Sequence, residues 1–132
     1  MSYHFEFDSQ NAVLLAVVYG RIDDTEMQEL YFGMRKRKDE DHALTGVIDF
    51  TEVTDFDVRS ETIRGLANMP PNFEDPTIRA AVAPTDFLFG IARMFQAHGA
   101  ATRKQLYIVR TLNEALVLLG VESPQFHRTS AA

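Results

Sequence analysis

Cysteine is absent from the 132-residue chain, and with it go a disulfide framework, thiolate catalysis and every zinc site built on thiolates. Nothing in the residue usage points to an oxidising compartment, so the cytoplasm is the expected location. Glycine is sparse, at seven residues. No glycine-rich turn joins a strand to a helix, which removes the backbone cradle that nucleotide phosphates need. Serine occurs only at positions 2, 9, 60, 123 and 130, none of them flanked as in a nucleophile elbow. His4, His42, His98 and His127 are too scattered to bring two imidazoles onto one metal ion, so no metal site and no cofactor is expected. His98, next to Gly99, is placed to meet the negative end of a helix dipole.

Long hydrophobic runs are also missing. The longest, Ala12 to Tyr19, falls short of the roughly 20 residues that cross a bilayer. The opening segment, Met1 to Asp8, alternates and carries acids, unlike the basic-then-apolar plan of a signal peptide. Positive charge is in the minority: the net charge of −6 argues against nucleic acid as a partner, since phosphate contacts need a basic face.

What is present is an ordinary globular composition, 45% hydrophobic and 24% charged. A chain of this length buries one core, so residues 1–132 are expected to form a single domain. Residues 4–10 alternate, with Phe5 and Phe7 on one face, and Asn11 separates them from the Ala12 to Tyr19 run, as in two antiparallel strands. Acids at Asp23 and Asp24 open a helix whose Met27, Leu30, Tyr31 and Met34 share a stripe. Arg35-Lys36-Arg37-Lys38 forms its last turn and complements the dipole. Leu44 to Phe50 has the continuous apolar pattern of a strand covered on both faces.

Thr51 to Arg59 is a polar loop by composition. Ser60 is placed as the N-cap of a short helix carrying Ile63, Leu66 and Ala67, which Met69-Pro70-Pro71 stops. Ile78 to Ala83 is a further strand. Thr85 caps a helix to His98, with Phe87, Leu88, Ile91 and Phe95 along one side, and Gly99 closes it. Leu106 to Val109 is the last strand, Thr111 with Glu114 makes a capping box for a helix through Leu119, and Gly120 ends it. The tail, residues 121–132, is expected to be loose. The order implies an α/β fold: a mixed, mostly parallel sheet with the first strand antiparallel and about four helices. No internal repeat or low-complexity segment interrupts it.

Open parallel sheets bind ligands beyond the carboxyl ends of their strands, here Gly20-Arg21, Asp49 to Arg59, Pro84 to Asp86 and Arg110-Thr111. Asp49, Asp55 and Asp57 could supply an acid–base pair or a magnesium site, or serve only as turn formers. Arg21, Arg59 and Arg110 could converge on an anion. Phe89 and Met94 lie off the stripe of the Thr85 to His98 helix, so its second side needs a cover: another subunit, an apolar ligand, a membrane surface, or core from the last helix.

The stretches Ile48 to Asp57 and Val82 to Phe95, above all Phe89-Gly90-Ile91-Ala92-Arg93-Met94-Phe95, resemble the bacterial SpoIIAA-like family, related to STAS and CRAL-TRIO domains. The likeness runs from about Tyr3 to Gly120. It implies a mixed sheet wound with helices and no enzyme activity, hence no catalytic residues. STAS relatives bind a kinase-like partner and are switched by a phosphoserine in an Asp-Ser-Ser-Gly pattern, where this chain has Asp57-Val58-Arg59-Ser60. The phosphoacceptor place is not a serine. The STAS branch therefore implies a protein-docking surface at Asp57, Arg59 and Ser60 without the usual switch. The CRAL-TRIO branch implies a carrier of a small non-polar or lipid-like ligand, held against Phe87, Phe89, Ile91, Met94 and Phe95, residues that could equally pair two subunits in a homodimer.

Overall fold

The computed structural model describes residues 2–129. Strand β1 (Tyr3–Asp8) pairs antiparallel with β2 (Val13–Asp23). Asp8 closes the turn between them: its carboxylate accepts the backbone N–H groups of Gln10 and Asn11 and the Asn11 side-chain amide. Helix α1 (Asp24–Asp41) starts on a capping box, the Asp23 side chain accepting from Glu26 N while the Glu26 carboxylate faces Asp23 N. It runs beyond the basic run to Asp41. Arg35 there donates to the Pro70 carbonyl at 2.6 Å, and the Lys38 ammonium lies 5.4 Å from the Phe73 ring centre, so part of that run packs on the segment following the next helix.

Strand β3 (Thr45–Asp57) is much longer than its apolar stretch suggests. Thr51 to Asp57, expected as a loop, continues parallel to Tyr19–Asp23. The pairing breaks register twice, between Val17 and Tyr19 and between Gly20 and Arg21, each time with an extra residue in β3. Asp49 fixes the first irregularity by accepting Thr51 N at 2.9 Å. Polar composition concealed the strand because this ribbon extends past the rest of the sheet, so much of it faces water.

Helix α2 (Ser60–Ala67), strand β4 (Arg79–Val82), helix α3 (Asp86–His98), strand β5 (Leu106–Val109) and helix α4 (Leu112–Leu118) follow in the expected order. Thr85 accepts from Leu88 N and Thr111 from Glu114 N, and Gly120 takes the left-handed conformation (φ 73°) that ends α4. Ser60 is not an N-cap. Arg59 holds that position and makes no side-chain cap bond.

The sheet order is β5-β4-β3-β2-β1-β6, where β6 is His127–Arg128. Each crossover from β2 to β5 steps one strand in the same direction, and right-handed crossovers then put α1, α2 and α3 on one face. That face holds the larger core, built from Leu14, Ala16, Val18, Leu30, Phe50, Leu66 and their neighbours. On the other face α4 packs against β3, β4 and β5, and its Ala115 and Leu116 join Val13, Leu15, Val17, Val47 and Val82 in a smaller core.

The chain must then cross beneath the sheet to reach β1. The expected loose tail is therefore corrected for residues 121–129: Val121 is buried, Phe126 packs on the smaller core, Gln125 N donates to Asp8, and β6 pairs with Glu6 and Phe7. Residues 130–132 lie outside the described residues.

A candidate apolar ligand cavity

Helix α2 packs on α1 and α3 rather than on the strands. Below it the sheet offers Ala81 and α3 offers Ala92, each ending in a methyl group. These side chains leave a space of about 140 Å³ unfilled between the three helices and β3 to β5. Met27, Leu30 and Met34 of α1, Ile63 and Leu66 of α2, and Ile48, Phe50 and Ile108 of the sheet line it. Helix α3 adds Leu88, Ile91 and Phe95. Only Leu88 of that helix is buried, and the cavity accounts for the difference: Ile91, Ala92 and Phe95 point inward but stop short of close packing.

Polar groups gather at one end. Arg103, in the loop after α3, is only 3% exposed. Its guanidinium donates to the carbonyls of Ala67 (2.6 Å) and Met69 (2.9 Å) and to the Tyr31 hydroxyl (2.9 Å), with Phe95 4.7 Å below its plane. It thus meets the negative end of α2, where orphan carbonyls need donors. Gly99 makes room for it, since a Cβ there would press on the guanidinium and lie 3.0 Å from the Ala67 oxygen. Arg79 is equally enclosed. It donates to Asp75 at 2.6 Å and to the Thr77 and Thr102 carbonyls. Burial alone would raise the Asp75 carboxyl, but the Gln105 and Lys104 amides and Arg79 overcome it and hold the group down at about 2.

Of the five residues expected to form an apolar surface, Ile91 and Phe95 line the cavity. Phe87 is 62% exposed and meets Phe56, a cavity-lining residue, edge-on. Phe89 and Met94 pack half-buried against the larger core, and Phe89 is covered by the Arg110 guanidinium at 4.2 Å. Helix α4 sits on the opposite face of the sheet, so it does not supply the cover for α3.

The other expected surface lies where β3 meets α2. Asp57, Arg59 and Ser60 are all exposed, but the two charges are met from within the chain: Asp57 pairs with Arg21, and Arg59 donates from N and Nε to Asp24, each at 2.8 Å. The Arg59 backbone amide, then the Thr62 hydroxyl and the Arg59 side chain, hold the Asp24 carboxyl below its usual range against desolvation. Arg21 also faces Asp23 and Asp55, and Arg110 faces Asp86. The three arginines thus meet separate acids and do not converge on one anion. Asp49 is occupied by Thr51, apart from the carboxylates around Arg21.

Two enclosed arginines escaped sequence reasoning. Arg79 carried a signal, being a charge inside the run Ile78 to Ala83, where burial demands a partner. Arg103 carried none, because its partners are backbone carbonyls more than thirty residues away, Ala67 among them. In the comparisons with known proteins, no family model matches this chain and no curated protein matches it.

Proposed function

We propose that this is a non-enzymatic binding domain that holds a small non-polar ligand in the space beneath α2 and α3. The observation that carries this reading is the 140 Å³ cavity itself, since volume left open at this size is about what an engineered apolar cavity needs to take up benzene or xenon. Nearly all of its lining is apolar, which gives a ligand contact area but few groups to react with. The mixed sheet with helices on both faces is of the kind a SpoIIAA-like relationship implies and supports that assignment. Cytoplasmic location and pairing into a homodimer through the Phe87 side of α3 belong to the same proposal.

Native mass spectrometry on protein freshly purified from a bacterial host tests it. The expected result is a retained small molecule that leaves on denaturation, with loss of that mass in Ala92→Phe, which fills the cavity from α3. An apo species that takes up no non-polar compound on titration would overturn it.

A second reading, docking of a protein partner at Asp57, Arg59 and Ser60, is favoured by one observation: Arg59 is fixed at both N and Nε by Asp24 while its side chain stays 70% exposed. Arg59→Glu should abolish partner capture. Equal capture by the variant would remove this reading.

A further inference from the structure

Building on the cavity reading, we infer that the ligand is neutral and unfunctionalised where it is enclosed: a single ring or short branched hydrocarbon group, not the acid head of a lipid. The polar side chains in the cavity wall are Tyr31, Asn72, Arg79 and Arg103, and each is already committed inside the protein. The Tyr31 hydroxyl donates to the Pro70 carbonyl at 2.6 Å and accepts from Arg103. Asn72 donates to the Tyr31 carbonyl at 3.0 Å and accepts from Arg35 Nε at 3.1 Å. Arg79 is neutralised by Asp75.

Arg103 is the one wall cation with no carboxylate partner among the described residues, and it is the group an anionic head would seek. Its Nη1 and Nη2 groups, however, point at the closing carbonyls of α2, Nη2 also at Met69 and Tyr31, and its face lies on Phe95. A carboxylate seated at those two nitrogens would have to take donors away from the Ala67 and Met69 carbonyls, and losing those bonds offsets the new contact. Nor, among the described residues, does the wall hold a fully buried side-chain nitrogen or oxygen without a hydrogen bond. Among the described residues the buried side-chain atoms without a hydrogen bond are His4 Nδ1 and Asp41 Oδ2, and neither lines the cavity. Size points the same way: 140 Å³ accommodates about one ring, so a longer chain would have to run out past α3.

Toluene and benzoate test this, because they share a ring and differ in charge. Both are titrated into the full chain and followed by melting temperature and by the methyl resonances of Ile91 and Ile108. The expected result is saturable binding of toluene, with benzoate at least about tenfold weaker, and loss of toluene binding in Ala81→Leu or Ala92→Leu, whichever folds with an unchanged circular dichroism spectrum. Benzoate binding within tenfold of toluene, with the same methyls shifting, overturns the neutral-ligand inference and leaves the cavity reading standing. Neither compound shifting the methyls, or toluene binding unchanged in the filled variants, overturns both.

Discussion

Arg103 donates from Nη1 to the Ala67 carbonyl at 2.6 Å, and this bond ties the loop after α3 to the last turn of α2. The same guanidinium reaches Tyr31 of α1, so one side chain joins the three helices that surround the cavity. Arg103→Met keeps the apolar stem but strands the Ala67 and Met69 carbonyls and removes the donor to the Tyr31 hydroxyl. Stability should fall by about 3 kcal/mol, measured by urea unfolding. Arg103→Lys should recover only part of this, since one ammonium cannot span the fork of acceptors.

Three glycines separate two effects. Gly99→Ala would push a methyl against Arg103 and the Ala67 carbonyl, and is expected to cost about 1–3 kcal/mol. Gly65 and Gly90 are helical with nothing within 4 Å of an added Cβ, so alanine there should stabilise by about 0.5–1 kcal/mol through helix propensity. Thermal unfolding of the three variants gives the signs directly. A stabilising Gly99→Ala would show that the Arg103 seat is loose.

The pH dependence of stability follows from Asp75. Its folded pKa is depressed, to about 2 from 3.8, so its contribution is fully present above the unfolded value and is lost as pH falls from about 4 toward 2. Asp8 acts in the same direction: burial would raise it, yet its bonds from Asn11, Gln125 and Gln10 bring it below its usual range. Urea midpoints should therefore fall steeply between pH 5 and pH 2.5 in the wild type. Asp75→Asn should show a lower midpoint at pH 6 and a shallower fall over the same interval. Parallel curves for the two proteins would remove Asp75 as a cause.

Ending the chain after Gly120 removes Val121 and Phe126 from the smaller core, the Gln125 bond to Asp8 and the β6 pairing with β1. A loss of about 2–4 kcal/mol is expected from exposed apolar surface and the lost Gln125–Asp8 and β1–β6 hydrogen bonds. Binding of a hydrophobic dye should rise with it. A truncated chain as stable as the full one would show that residues 121–129 lie on the sheet without supporting it.

Local signals were legible wherever the physics is local. Asp23, Thr85 and Thr111 each start a helix through bonds to residues only three positions on, and those spacings are written in the chain. The apolar run at Ala12 to Tyr19 is satisfied by burial, and Leu106 to Val109 by its β-branched and aromatic residues beside β4, so both gave their strands. Of the site, the sequence supplied Ile91 and Phe95 through the period of α3, but not that the helix would stand clear of the sheet there.

Three features depended on partners far along the chain. The polar half of β3 is a strand because the carboxyl end of β2 offers it a ladder, and backbone hydrogen bonding there outweighs side-chain composition. Residues 121–129 lie on the sheet because α4 packs over β3 to β5 and leaves a strip of Val13, Leu15 and Val17 to be covered.

Arg21, Arg59 and Arg110 looked alike in sequence, yet each meets its own acid once the strands are in register. Apart from β6 and the polar half of β3, the sequence by itself therefore determined the elements, their order and the mixed sheet, since caps, periodicity and right-handed crossovers act over short spans. Only the tertiary structure decided where charge is neutralised and where volume stays empty. Those depend on which side chains from distant elements arrive at the same place, and here a short α2 resting on its neighbouring helices, above Ala81 and beside Ala92, left room that no residue fills.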